Sequence, residues 1–267
     1  MKKFLFILLF VTFQVSISQE KKPFSIGETL SFYSEILQED RVLNIYLPNG
    51  YENSSKQYPV IYLLDGSTDE DFIHIAGLVQ FGSFSWINMI PETIVVGIAN
   101  VDRKKDFTYP STDKGYVKKY PMTGHSENFI QFLEVEVQPY IEKSYNVTEE
   151  KTLIGQSLGG LLATEILFKK PDIFNNYIIV SPSLWYDYES LLKMTPKDYT
   201  SEKKIFIAVG EEGEIMKRIA NELYLKLKKI NNHHTQLYFN FLEEQDHGNV
   251  LHLAVYEAFE KMFSVKK

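Results

Sequence analysis

The sequence predicts an α/β protein, with a mostly parallel central sheet covered by helices on both faces and an antiparallel hairpin at its N-terminal edge. Three observations lead there. Short runs of β-forming residues recur along the chain, several of them apolar at nearly every position, as in strands buried on both faces. Amphipathic helical stretches separate most of them. The two earliest runs, around 30–37 and 41–48, are only a few residues apart, close enough for a hairpin.

The remaining strands are expected at 59–65, 93–100, 152–157, 177–181, 204–210 and 236–242. One helix is expected after an N-cap at Ser126, because Phe129, Ile130, Leu133, Val137, Tyr140 and Ile141 recur at helical spacing. Met216, Ile219, Leu223, Leu227 and Ile230 mark another, with Lys226, Lys228 and Lys229 suited to its C-terminal dipole. A last helix is expected over 250–263. Residues 101–125 show no convincing periodicity. They carry Pro110, Pro121, Gly115, Gly124 and three tyrosines, the composition of a long functional loop.

Composition narrows the class. The chain has 267 residues, 44% hydrophobic and 24% charged, with no repeat or low-complexity stretch, which is ordinary globular composition. Its net charge is −7 and no basic stripe is available to neutralise phosphates, so nucleic acid is not an expected partner. Lys2 and Lys3 precede an apolar run from Phe4 to Phe13, followed by small residues at Ser16 and Ser18. That is the pattern of a secretory signal peptide over residues 1–18, and the run is well short of the ~20 residues that span a bilayer. Residues 19–267 are expected to form one domain, periplasmic or secreted, without stable membrane insertion after cleavage. With no cysteine in the chain, its stability must come from core packing.

Chemistry enters at Gly155-Gln156-Ser157-Leu158-Gly159, followed by Gly160. The G-x-S-x-G pattern alone is common. Here a strand leads in and a helix leads out, which is the strand–turn–helix of a nucleophile elbow in the α/β-hydrolase fold. The turn lifts the Ser157 hydroxyl above the sheet and aims the Leu158 N–H at a developing oxyanion. A glycine-rich turn with an incidental serine is the plain alternative. A nucleotide-binding turn is a second alternative, but neither a Walker lysine nor a G-x-G-x-x-G pattern is present.

A serine hydroxyl needs an adjacent base, and in this fold the order is serine, acid, histidine. His247 follows the last strand and precedes the last helix, where the base is expected; His74 and His125 come too early. The acid should follow strand 204–210, where Glu211, Glu212 and Glu214 stand. Glu212 is preferred because it lies close to the strand end beside Gly213. Acids at a helix start are also favoured by the dipole alone, so Glu211 and Glu214 remain alternatives. A second oxyanion donor is expected just past Gly66, at the Ser67 N–H. Asp65, Asp69, Glu70 and Asp71 do not match a calcium loop and fit a solvated helix start. No cluster has zinc-like spacing, so no metal and no cofactor is expected.

With these residues placed, the chain resembles the putative-esterase family of α/β-hydrolases, which includes ferric-siderophore, feruloyl and acetylxylan esterases and mycolyltransferases. The resemblance rests on YPVIYLLDG, NVDRKKDFTYP, GQSLGG, PDIFNNYIIVSPSLWYD and VGEEGEIM, and covers nearly all of the chain beyond the leader. It implies Ser157 as nucleophile, His247 as base, Glu212 as acid, and Leu158 and Ser67 as oxyanion donors. It further implies that Trp185 lines the acyl pocket and that Arg103 lies near the substrate. The plain alternatives are a core tryptophan and an Arg103–Asp106 brace. The implied activity is hydrolysis of a carboxylic ester, from a siderophore or an acylated sugar, through an acyl-enzyme. An acyltransferase and a catalytically inactive binding protein are the competing readings.

Overall fold

Strand β1 (Glu28–Ser34) turns back at once into β2 (Glu39–Tyr46), and this antiparallel hairpin forms one edge of the sheet. The computed structural model describes residues 20–264. The strands that follow are β3 (Tyr58–Leu63), β4 (Ile94–Ile98), β5 (Val147–Gln156), β6 (Asn176–Val180), β7 (Lys203–Gly210) and β8 (Thr235–Leu242). Their order across the sheet is β1-β2-β4-β3-β5-β6-β7-β8. β2 meets β4 antiparallel, and every later pairing is parallel. Each expected strand is therefore present within a few residues of its expected place.

The near-continuous apolar runs are explained by helices on both faces. Helices α1 (Phe72–Gly82) and α9 (Val250–Met262) cover Ile61, Leu63, Val95, Ile154, Ile178 and Phe206. Their neighbours Val60, Tyr62, Val96, Leu153, Ile179 and Ile207 point the other way, as the strand period of two requires. There they meet α4 (Ser126–Phe132), α5 (Gln138–Ser144), α6 (Leu158–Lys169) and α8 (Glu214–Ile230).

Three expectations need correction. The helix after Ser126 is continuous but not regular: Leu133–Val137 form a π turn between α4 and α5. Pro139 explains it, because it has no N–H to donate back and its ring crowds the preceding turn. Ser126 is the first residue inside the helix rather than its cap, since the His125 carbonyl already accepts from the Phe129 N–H at 3.3 Å and the Ser126 hydroxyl caps nothing. The stretch 101–125 is not wholly irregular. It contains α2 (Arg103–Asp106) and α3 (Lys114–Lys119), each started by an aspartate, Asp102 or Asp113, whose side chain accepts the next free N–H groups. The leader expected over residues 1–18 lies outside the described residues, among which no helix is long and apolar enough to cross a membrane.

Asp106 does not brace Arg103. Its carboxylate is buried against Arg41 Nη1 at 2.7 Å, and Arg41 also reaches Glu39 at 2.8 Å and lies over the rings of Phe129 and Phe132. Asp106→Ala should therefore leave a buried guanidinium with only Glu39 as its carboxylate partner. Equilibrium urea unfolding is expected to show a loss of roughly 3 kcal/mol; a loss below about 0.5 kcal/mol, the size of an ordinary surface change, would mean that Arg41 is held by packing and Glu39 alone.

Candidate active site

All the residues in question stand at the C-terminal ends of parallel strands, at and beside the point where the strand order reverses between β3 and β5. Ser157 bridges β5 and α6 with φ 59° and ψ −118°, a conformation that costs a non-glycine residue energy and persists only where its surroundings enforce it. Here they do. The Ser157 N–H is bound by the Val180 carbonyl at 3.1 Å, and its own carbonyl accepts from Leu161 and Ser183. The helix passes so close that a Cβ on Gly155 would lie 2.4 Å from the Gly159 oxygen. The glycines are therefore a steric requirement of the turn. Leu158 opens the helix, so its N–H lacks an intrahelical acceptor by position.

His247 follows β8, as expected. Gln156 Nε2 donates to its carbonyl at 2.5 Å, tying the base loop to the residue before the nucleophile. Its ring Nδ1 is hydrogen-bonded to Glu212 Oε2. The other Glu212 oxygen accepts from the Ser181 hydroxyl and, at 3.1 Å, from the Gly210 N–H. Exposure separates the three candidate acids. The Glu212 side chain is 3% exposed, whereas Glu211 is 50% and Glu214 is 94% exposed, and both of those pair with Lys217. Burial pushes the Glu212 carboxyl up, but its bonds from His247, Ser181 and Gly210 outweigh that and hold it below the usual carboxylate range. The same Glu212 bond holds the imidazole above the ordinary histidine value, against partial burial and the Arg103 charge.

The nucleophile candidate is not in line with the base at rest. Ser157 Oγ lies 3.3 Å from Ser183 Oγ, and Nε2 is the ring nitrogen that the Glu212 bond leaves free. Ser157 and His247 share one cleft of about 270 Å³ with Gln156, Arg103, Asp65, Glu70 and Asp71. Of the six histidines, His247 alone lines it. His252 instead stacks on His74, with ring centroids 3.6 Å apart, and reaches Asp71 at 3.3 Å.

The Ser67 N–H is occupied at rest by Glu70 Oε2, at 3.3 Å. Asp65 is no part of a solvated helix start. It is buried, takes a bond from Asn100 at 2.7 Å, and lies against the Arg103 guanidinium. Nη2 of that guanidinium donates at 2.9 Å, while Nε is equally near without the alignment of a hydrogen bond. Burial pushes the Asp65 carboxyl up, and Arg103 and Asn100 recover only part of that. Trp185 is 42% exposed, so it is not core, and it does not line this cleft. Just beyond it, at the start of α7 (Tyr186–Lys193), Asp187, Tyr188 and Glu189 form a left-handed turn with φ 48°, 54° and 61°. Asp187 Oδ1 is bound there by Ser111 and Thr112, and Glu189 by Arg218.

Sequence reasoning missed Ser181, Ser183, Asp65 and Gln156. Only Gln156 had a local signal, as the variable residue of G-x-S-x-G. The others depend on which loops meet.

A strained serine between strand and helix, at the C-terminal edge of this sheet, with a carboxylate–histidine pair delivered by the last two strands, makes the protein an α/β-hydrolase. Residues 34–261 match the family described as "Putative esterase", and the chain belongs to that family. Membership makes it a hydrolase acting on esters. The ferri-bacillibactin esterase BesA of Bacillus subtilis (strain 168) is 30% identical over 223 residues, 75% of this chain and 77% of the relative. Among solved structures, an IroE-like serine hydrolase from Shewanella oneidensis superposes with a TM-score of 0.80 at 31% identity, covering 89% of this chain and 80% of the other. The BES protein from Bacillus cereus also gives 0.80, at 27% identity, covering 95% and 100%.

Proposed function

We propose that this chain is a serine esterase that hydrolyses a siderophore ester through an acyl-enzyme, with Ser157, His247 and Glu212 as its triad. The observation that carries the reading is the buried Glu212 carboxylate on His247 Nδ1, which leaves Nε2 free of that bond in the cleft that Ser157 also lines. Rotation of the Ser157 side chain off Ser183 brings its hydroxyl to Nε2. Oγ then attacks the ester carbonyl carbon as its proton passes to Nε2, and negative charge collects on the carbonyl oxygen. The Leu158 N–H receives that oxygen, joined by the Ser67 N–H once Glu70 releases it; one such donor supplies roughly 3 kcal/mol. Collapse breaks the bond to the alcohol, which leaves with the proton from His247. Water, activated by the same nitrogen, frees the acid and restores Ser157. Arg103 is the cation available in the cleft for an anionic group of the substrate, and Asp65 fixes its direction. Trp185 lies outside this cleft, so it would meet only an acyl group that extends beyond it. The leader expected over residues 1–18 would put this reaction outside the cytoplasm.

The siderophore assignment draws on the named activity of the 30%-identical relative. It is tested by kcat/KM for a catecholate trilactone, feruloyl sugars and short p-nitrophenyl esters, each measured across pH. The trilactone should be the best substrate; preference for the feruloyl sugars would move the assignment to polysaccharide esters. For whichever ester is turned over, the acid limb should have its midpoint above the ordinary histidine value of 6.5. The base works only when neutral, and its bond to Glu212 keeps it protonated to higher pH. A midpoint below that value would separate His247 from the rate-limiting proton transfer.

A further inference from the structure

Ser181 follows the last residue of β6 with φ 43°, in the left-handed region, and is wholly buried. Any residue with a Cβ is strained there, whereas glycine would adopt the conformation at little cost. The strain is held from both sides. The Ser181 N–H donates to the Ala208 carbonyl of β7 at 2.8 Å, and two residues on the Ser183 N–H donates to the Ser157 carbonyl at 3.0 Å. Between them Pro182, whose ring fixes its φ, lies so close to α6 that a Cβ on Gly160 would come 3.0 Å from its Cα. One short, stiff segment therefore ties the strand that carries the acid to the elbow.

The hydroxyl gives a reason for serine at this position. It is bonded to Glu212 Oε1, and since an ionised carboxylate only accepts, the serine is the donor. The Gly210 N–H reaches the same oxygen at 3.1 Å. With a single donor a carboxylate can still turn about its last torsion, which has no sharp staggered minima. Two donors, one past the end of β6 and one at the end of β7, fix its plane and present Oε2 to the imidazole Nδ1.

We infer that Ser181 is a positioning residue for ester turnover, acting through Glu212 and His247 while lining no part of the cleft itself. This role rests on the triad reading above. Its effect on pH has a definite sign. The hydroxyl helps to hold the Glu212 carboxyl below the usual range. Without it the carboxylate charge is less compensated, so His247 keeps its proton to higher pH. The other charges facing His247, those of Arg103 and Asp246, are unaltered. A loop merely loosened by the substitution would instead weaken the Glu212–His247 bond and let the histidine fall.

The test is kcat and KM across pH on one p-nitrophenyl ester, for Ser181→Ala, Ser181→Gly, Glu212→Gln and the double variant Ser181→Ala/Glu212→Gln. Circular dichroism checks each fold, and glycine, which suits the positive φ, serves if alanine does not fold. Both Ser181 variants should lose about tenfold in kcat, the worth of one hydrogen bond to a charged group, with KM within twofold. Their acid limb should move up in pH, and Ser181→Ala should cost Glu212→Gln nothing further. Full turnover in the Ser181 variants, an acid limb that moves down or stays, or the same tenfold loss on the Glu212→Gln background would each overturn the role. Full turnover in Glu212→Gln alone would overturn the triad reading beneath it as well.

Discussion

Ser157→Ala is expected to lower kcat for ester hydrolysis by about 10⁵-fold or more and to abolish labelling by a fluorophosphonate, with little change in stability. The size follows from the chemistry. Ser157 stands on the elbow, beside a helix whose first N–H has no intrahelical acceptor, and lines the same cleft as His247. The unchanged fold follows from the turn, which is held by main-chain bonds at Val180, Leu161 and Ser183 and by the Gly155–Gly159 approach, none of which involves the hydroxyl. Mass spectrometry of the labelled protein reads the site directly. Labelling of the variant at the wild-type rate would give the nucleophilic role to another serine, and Ser183, 3.3 Å away, is the first to examine.

Glu212→Gln should lower kcat by about 10³-fold, while Glu214→Gln should leave it within twofold. An amide can still touch Nδ1, but it does not stabilise the imidazolium that forms as Ser157 gives up its proton. If its NH₂ turns to the ring, it also favours the wrong tautomer. The acid limb of the pH–rate curve should move down in Glu212→Gln, because the bond that raises the histidine has lost its charge. Glu214 offers no such effect, since its side chain is almost wholly exposed and paired with Lys217. Equal small losses in both variants would reduce the site to a Ser157–His247 pair. A large loss confined to Glu214→Gln would show that the acid loop rearranges on substrate binding.

The parts legible in the sequence were those governed by neighbours in the chain. Strand patterns follow from a period of two against two cores, and the elbow follows from three glycines around one serine. The pairing of Glu212 with His247 follows because β7 and β8 are neighbours and the loops at their ends meet. What stayed hidden depends on which distant loops touch. Arg103 and Asp106 are three residues apart on one short helix, where a pairing looks natural, yet each turns to a different partner, Asp65 and Arg41. Ser181 and Ser183 flank a proline at a strand end and read as turn residues. Only the approach of the Glu212 loop and the elbow gives their hydroxyls a partner. The short helices of the 101–125 stretch were too brief for periodicity, and their Asp102 and Asp113 caps were the signal to read.

The left-handed turn at Asp187–Glu189 has a consequence for how the molecule breathes. Three successive non-glycine residues in that conformation cost about 1–2 kcal/mol each, and the bonds to Ser111, Thr112 and Arg218 offset it. Releasing those bonds also releases the strain, so partial unfolding is cheaper here than in the sheet. Because Asp187 holds residues 111–112, the two segments should come loose as one cooperative unit, carrying Trp185 with them. Such an opening would leave the eight strands folded and loosen the surface around Trp185, at a cost set by Tyr186, which is buried and donates to the Tyr109 carbonyl at 2.8 Å.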